Sequence, residues 1–123
     1  MDTLGVHYIA EMWKVDYNKL DNIKEIENQM KEAVKVAKGN ALNVFSHKFS
    51  PHGVSCVITI SESHLSIHTF PEVGYCAVDI YTCGKTHADR AIKHLIKHFE
   101  PKSHKVVKLV RGKEKVQITT DPF

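Results

Sequence analysis

Val54-Ser55-Cys56-Val57-Ile58-Thr59-Ile60-Ser61-Glu62-Ser63-His64-Leu65-Ser66-Ile67-His68-Thr69-Phe70-Pro71-Glu72 occupies the middle of the chain. Val54 to Ile60 is a β-type apolar run, and a second one follows from Tyr75 to Cys83. Between them sits a cluster of hydroxyls, imidazoles and carboxylates, where the flanking pattern predicts the centre of a sheet. Polar groups in such a place are hydrogen-bonded or functional, because an unpaired buried one costs on the order of 1–3 kcal/mol.

Working outward, the hydrophobic period assigns the other elements. Gly5 to Trp13 reads as a strand, with His7, Ile9 and Glu11 on one parity and Tyr8, Ala10 and Met12 on the other. From about Asn18 to Lys38 the period becomes helical. Leu20, Ile23, Ile26 or Glu27, Met30, Ala33, Val34 and Ala37 form one apolar stripe, Asn18 with Asp21 suits the start, and Gly39-Asn40 suits the stop. Ala41 to Ser50 is predicted as a strand, Pro51-His52-Gly53 as a turn, Val54 to Ser61 and His64 to Phe70 as strands, Pro71 to Gly74 as a turn, and Tyr75 to Cys83 as a strand. Thr86 to Phe99 carries a second helical stripe, Ala88, Ala91, Ile92, Leu95, Ile96 and Phe99, with Thr86 and Asp89 as its capping pair. His104 to Lys113 is the last predicted strand, and the tail after Thr119 is expected to fray. The order β-α-β-β-β-β-α-β with consecutive hairpins favours an α+β fold: a two-layer sandwich, mostly antiparallel, with two helices on one face.

Composition sets the outer limits. A chain of 123 residues fits one domain. A net charge of +3, with no basic cluster carrying interleaved aromatics, argues against nucleic acid as a partner. No run is long and apolar enough to span a bilayer, and no basic-then-apolar start is present, so no membrane partner and a cytoplasmic location are expected. Three cysteines without metal-type spacing, Cys56, Cys76 and Cys83, are expected to be thiols in a reducing compartment. His94 and His98 stand one helical turn apart, but without a third ligand they read as a solvated helix edge, and no metal is expected.

The central stretch suggests a rearrangement of the chain on itself. The Ser63 hydroxyl can attack the Glu62 carbonyl and convert the amide to an ester. An imidazole can then remove the Cα proton of residue 63 and eliminate the ester. Hydrolysis of the resulting dehydroalanine leaves a pyruvoyl group at a new chain start. Ser63 and His68 have opposite parity in an uninterrupted strand, so direct action of His68 on residue 63 requires a bend around Ser63 to Leu65.

A longer pattern is more specific. Ser61-Glu62-Ser63-His64-Leu65-Ser66-Ile67-His68-Thr69, Pro71-Glu72, Gly74-Tyr75, Asp79 and Thr82-Cys83-Gly84 resembles the prokaryotic S-adenosylmethionine decarboxylases, small pyruvoyl enzymes of polyamine synthesis. Phe49, Pro51, Gly53-Val54-Ser55, Leu4-Gly5, His7 and Glu11 extend the resemblance over nearly the whole chain. It implies cleavage between Glu62 and Ser63 into chains 1–62 and 63–123, a pyruvoyl group from Ser63 in place of pyridoxal phosphate, and a homodimer. Ser63 would then form the Schiff base with S-adenosylmethionine. His68 would carry the proton in processing, and Cys83 would donate the proton that quenches the substrate carbon. Phe49 and Glu72 match positions associated with adenine stacking and ribose binding, and Ser55 and Glu11 are further candidates. The product would be the aminopropyl donor for spermidine. Val6, His52, Cys56 and Phe70 depart from residues common at their positions; an aromatic is frequent where His52 stands. Related pyruvoyl enzymes act on arginine or ornithine, which is the alternative reading. An unprocessed regulatory homologue is the second.

Overall fold

The computed structural model describes residues 5–61, 63–83 and 85–123. Glu62 and Gly84, both part of the motif, and Leu4 lie outside them. The strands are β1 (Gly5–Trp13), β2 (Ala41–Lys48), β3 (Val54–Ile60), β4 (Ser63–Phe70), β5 (Tyr75–Thr82), β6 (Ser103–Arg111) and β7 (Gln117–Thr120). They form one seven-stranded sheet in the order β2-β3-β4-β5-β1-β6-β7. Every described pairing is antiparallel. The helices are α1 (Tyr17–Asp21), α2 (Ile23–Val36) and α3 (Ala88–Phe99).

Both long helices press their apolar stripes on the same face of the sheet. Ile26, Met30 and Ala33 of α2 and Ala91, Ile92 and Leu95 of α3 are fully buried against Ala10, Met12, Ile58, Leu65, Ile67 and Ile80. Strand alternation then turns the polar half of β1, β4 and β5 away from the helices. The two-layer α+β sandwich expected from the sequence is therefore present, with its second sheet face uncovered by helix.

Several local readings need correction. The first helical stretch is two helices, because the Asn22 side chain accepts from Glu25 N–H and restarts the helix after Asp16 has capped α1. The left-handed residue after α2 is Lys38, at φ 60°, rather than Gly39. Gly39 N–H instead closes on the Val34 carbonyl at 2.9 Å. Thr86 and Asp89 do not cap α3: His87 stands at its N-cap without a side-chain hydrogen bond. The tail does not fray. Residues 117–120 pair with β6, Asp121 N–H reaches the Val106 carbonyl at 2.8 Å, and the Lys93 ammonium lies 4.7 Å over the Phe123 ring. No bend occurs around Ser63 to Leu65, since β4 runs in unbroken register with β3 from Ser63 to His68.

Candidate active site

The open sheet face carries the polar chemistry. β1 contributes His7 and Glu11, β4 contributes His64, Ser66 and His68, and β5 contributes Tyr75 and Asp79. Two hollows lie side by side on it. One, of about 220 Å³, is lined by His7, Glu11, Ser66, His68 and Asp79. The other, of about 350 Å³, is lined by Phe49, His52, Ser55, His68, Phe70 and Glu72. His68 is the wall between them.

In the smaller hollow Asp79 is the hub. Its Oδ2 accepts from His7 Nε2 at 2.7 Å and His64 Nε2 at 2.8 Å, and its Oδ1 accepts from Ser66 Oγ. The Arg111 guanidinium can only donate, so His7 Nδ1, 3.2 Å away, accepts and the His7 proton resides on Nε2. His7, His64 and Asp79 place three ligand-type atoms within 4.8 Å of one another, a grouping the sequence reading did not make. In this arrangement the two imidazoles are joined through the Asp79 carboxylate by hydrogen bonds. Burial pushes the Asp79 carboxyl up, but the bonds from Ser66, His64 and His7 outweigh it and hold the group below its ordinary value. The stability tied to this depressed carboxyl is present above the unfolded value, about 3.9, and is lost as pH falls through the folded one. Asp79→Asn is expected to lower unfolding stability by about 1–3 kcal/mol at neutral pH and to flatten the acid limb of a Tm-against-pH curve. An unchanged acid limb in that variant would remove Asp79 from the role of hub.

Glu11 sits at the edge of the same hollow. Tyr75 Oη donates to its carboxylate, 2.7 Å from each oxygen. Burial, then the Glu11 carboxylate, pushes the Tyr75 phenol well above its ordinary value, so it remains a donor. The Tyr75 ring is pinned between Trp13 at 4.3 Å and Phe70 at 5.6 Å, both stacked on it.

The larger hollow gathers four residues singled out from the sequence, Phe49, Ser55, His68 and Glu72. Ser55 and His68 face each other in the β3–β4 register and share a hydrogen bond of 2.8 Å between Oγ and Nδ1. Phe49 is 47% exposed, and the His47 ring meets it edge-on, 4.5 Å between centroids. Glu72 lies in the 3-10 turn Pro71–Val73, and its Oε2 is 2.6 Å from His52 Nε2.

Ser63 and Cys83 lie elsewhere. Ser63 is the first residue of β4 and pairs with Ile60, a buried core residue, so it points to the helix-covered side. Its Oγ is buried with no hydrogen-bond partner among the described residues, as are Thr59 Oγ1 and His98 Nε2. Cys83 follows Thr82, the end of β5. The register His64↔Tyr81 places Ser63 level with Thr82, so Ser63 and Cys83 share one end of the sheet. His68 is on the other face, roughly 16 Å along the strand at the usual rise per residue. The three residues expected to act together are thus not together within one chain.

The remaining expectations resolve briefly. Cys56 and Cys76 are buried and Cys83 half-buried, all as thiols; burial pushes Cys76 up to about 12, which suits a core residue. His94 Nε2 donates to Gln29 Oε1 at 2.8 Å. Burial lowers the His98 pKa, so this pair is a helix-packing feature rather than a solvated edge. No helix among the described residues is long and apolar enough to cross a membrane. The sequence reading missed the roles of His7, His64, Asp79, Tyr75 and His52. Their signal was shared parity on strands, but the adjacency of β1 to β5 is not visible in chain order.

A small two-layer α+β domain with an imidazole–carboxylate sheet face beside an aromatic-walled cleft has the form of a small-molecule enzyme. The S-adenosylmethionine decarboxylase family pattern matches residues 6–112. S-adenosylmethionine decarboxylase proenzymes of Geobacillus sp. and Fervidobacterium nodosum are 40% and 48% identical, over 96% and 92% of this chain and 95% and 83% of theirs. The crystal structure of the adenosylmethionine decarboxylase from Aquifex aeolicus superposes with a TM-score of 0.87 at 35% identity, covering 94% of this chain and 96% of that one. The chain belongs to the S-adenosylmethionine decarboxylase family.

Proposed function

We propose that this chain is a proenzyme that cleaves itself between Glu62 and Ser63 and then decarboxylates S-adenosylmethionine to the aminopropyl donor of spermidine synthesis. The observation that carries the reading is the larger hollow, where Phe49, Ser55, His68 and Glu72 meet. Its exposed aromatic ring offers a stacking face to adenine, and its carboxylate offers two acceptor oxygens to a ribose diol. Arginine and ornithine carry neither group.

The buried Ser63 Oγ, without a hydrogen-bond partner among the described residues, fits a residue that becomes the prosthetic group, because no such bond to those residues has to be broken before it attacks the neighbouring carbonyl. A pyruvoyl group at residue 63 supplies a carbonyl that withdraws electrons as carbon dioxide leaves. Cys83, at the same sheet end, returns a proton to the substrate carbon. His68, steadied by Ser55, moves the proton in processing. One chain keeps His68 away from its own Ser63, so we place the working site between two copies, each lending its cleft to the other's Ser63 end. In a cytoplasmic setting the three thiols remain reduced.

An intact-mass spectrum under denaturing conditions, with carbon dioxide release from S-adenosylmethionine, arginine and ornithine, tests this reading. Two chains split at Glu62/Ser63 and release from S-adenosylmethionine alone are the expected results. A chain that stays whole after long incubation would sink the processing step, and release from arginine or ornithine would move the substrate.

A further inference from the structure

Glu72 is not idle in its cleft. Its Oε2 lies 2.6 Å from His52 Nε2, and both residues line the hollow that holds Phe49 and His68. The carboxylate can only accept, so His52 Nε2 carries the proton in this contact. The His52 and Glu72 side chains are 27% and 44% exposed, open enough to exchange one partner for another. We propose that His52 is a further substrate-site residue: it competes with the substrate's ribose diol for the Glu72 carboxylate and makes substrate capture pH-dependent. The inference rests on the reading of Glu72 as a ribose acceptor.

A ribose diol binds a carboxylate best when both oxygens are free and fully charged. An imidazolium at 2.6 Å occupies one oxygen and draws charge from both. A neutral imidazole holds the oxygen with an ordinary, weaker hydrogen bond and gives way at lower cost. Other charges around His52 are accounted for. The Asp21 carboxylate on α1 is close enough for His52 to lower its pKa, but Lys48 Nζ already pairs with it at 2.9 Å. Tyr17, also on α1, meets the imidazole edge at 6.1 Å between centroids. His68 lines the same hollow but is engaged with Ser55. Glu72 is therefore the acid that His52 meets within the cleft. The sign follows: affinity is higher with a neutral imidazole beside Glu72 and lower once the imidazole gains its proton.

The test uses 5′-methylthioadenosine, which keeps adenine and ribose but lacks the amino-acid end. Its binding to the processed protein is measured by calorimetry from about pH 5.5 to 8.5, for the wild type, His52→Gln, His52→Tyr and Glu72→Gln. Wild-type Kd is expected to be roughly five- to tenfold weaker at the acid end. Either His52 variant should flatten that dependence to less than about twofold and bind at the acid end as wild type does at the alkaline end. Glu72→Gln should bind weakly at every pH. The same pH dependence in wild type and both His52 variants would overturn the proposal, as would unchanged binding by Glu72→Gln or no binding by wild type at any pH. Carbon dioxide release from S-adenosylmethionine by the same wild-type sample decides the decarboxylase reading separately.

Discussion

Ser63→Ala is expected to remain one unbroken chain and to release no carbon dioxide from S-adenosylmethionine. The effect should be large, a loss of at least about a thousandfold, because the variant lacks the hydroxyl proposed to attack the Glu62 carbonyl and the group that would follow from it. The structure makes this a clean experiment. Ser63 Oγ has no hydrogen-bond partner among the described residues, so its removal breaks no contact of that kind. Replacing an unpartnered buried hydroxyl by a methyl group's hydrogen should hold or slightly raise stability, by up to about 1 kcal/mol. A thermal melt at or above the wild-type Tm, together with absent activity, would separate lost chemistry from lost fold. Activity in that variant would end the pyruvoyl reading.

Equally large is the effect expected from mixing two dead chains. Ser63→Ala and His68→Ala should each be inactive alone, the second because processing stalls. Co-expressed and randomly paired, half the dimers hold one chain of each kind. Each mixed dimer then has one site with an intact Ser63 and the other copy's intact His68, which amounts to roughly a quarter of wild-type activity. The argument is geometric. Ser63 heads β4 and faces the helices, whereas His68 stands on the open face with Ser55, and regular pairing on both sides of β4 prevents the strand from folding one toward the other. Co-expression that restores nothing would remove the shared site. Substantial processing by an isolated monomer would also remove it.

Some of this protein was legible in the chain because it depends on local periodicity. The stripes Leu20–Ala37 and Ala88–Phe99 are buried almost residue for residue, since a helix repeats its inward face every three or four positions whatever it packs on. Strand parity likewise separated His7, Ile9 and Glu11 from Tyr8, Ala10 and Met12. The cluster Phe49, Ser55, His68 and Glu72 could be named beforehand because it comes from strands and turns adjacent in sequence, and because the motif carries these residues together.

What failed was set by competition between neighbours of similar propensity. Asn22 divides a stretch whose stripe looks continuous, because its side chain can cap as well as extend a helix. Residues 117–120 have weak strand signal, yet the free edge of β6 offers unpaired backbone groups that they satisfy. The Asp79 network required β1 to insert between β5 and β6, a nonlocal pairing that no window of sequence contains.

The sequence by itself therefore determined the α+β class, the inward faces, the central motif and the family, because each is a matter of residue type at short spacing. Only the tertiary structure decided which polar groups share a hollow, that His52 sits on Glu72, and that Ser63 is held away from His68. Those depend on strand order and on which face each residue occupies, and a regular sheet holds both rigidly once its helices have covered one side.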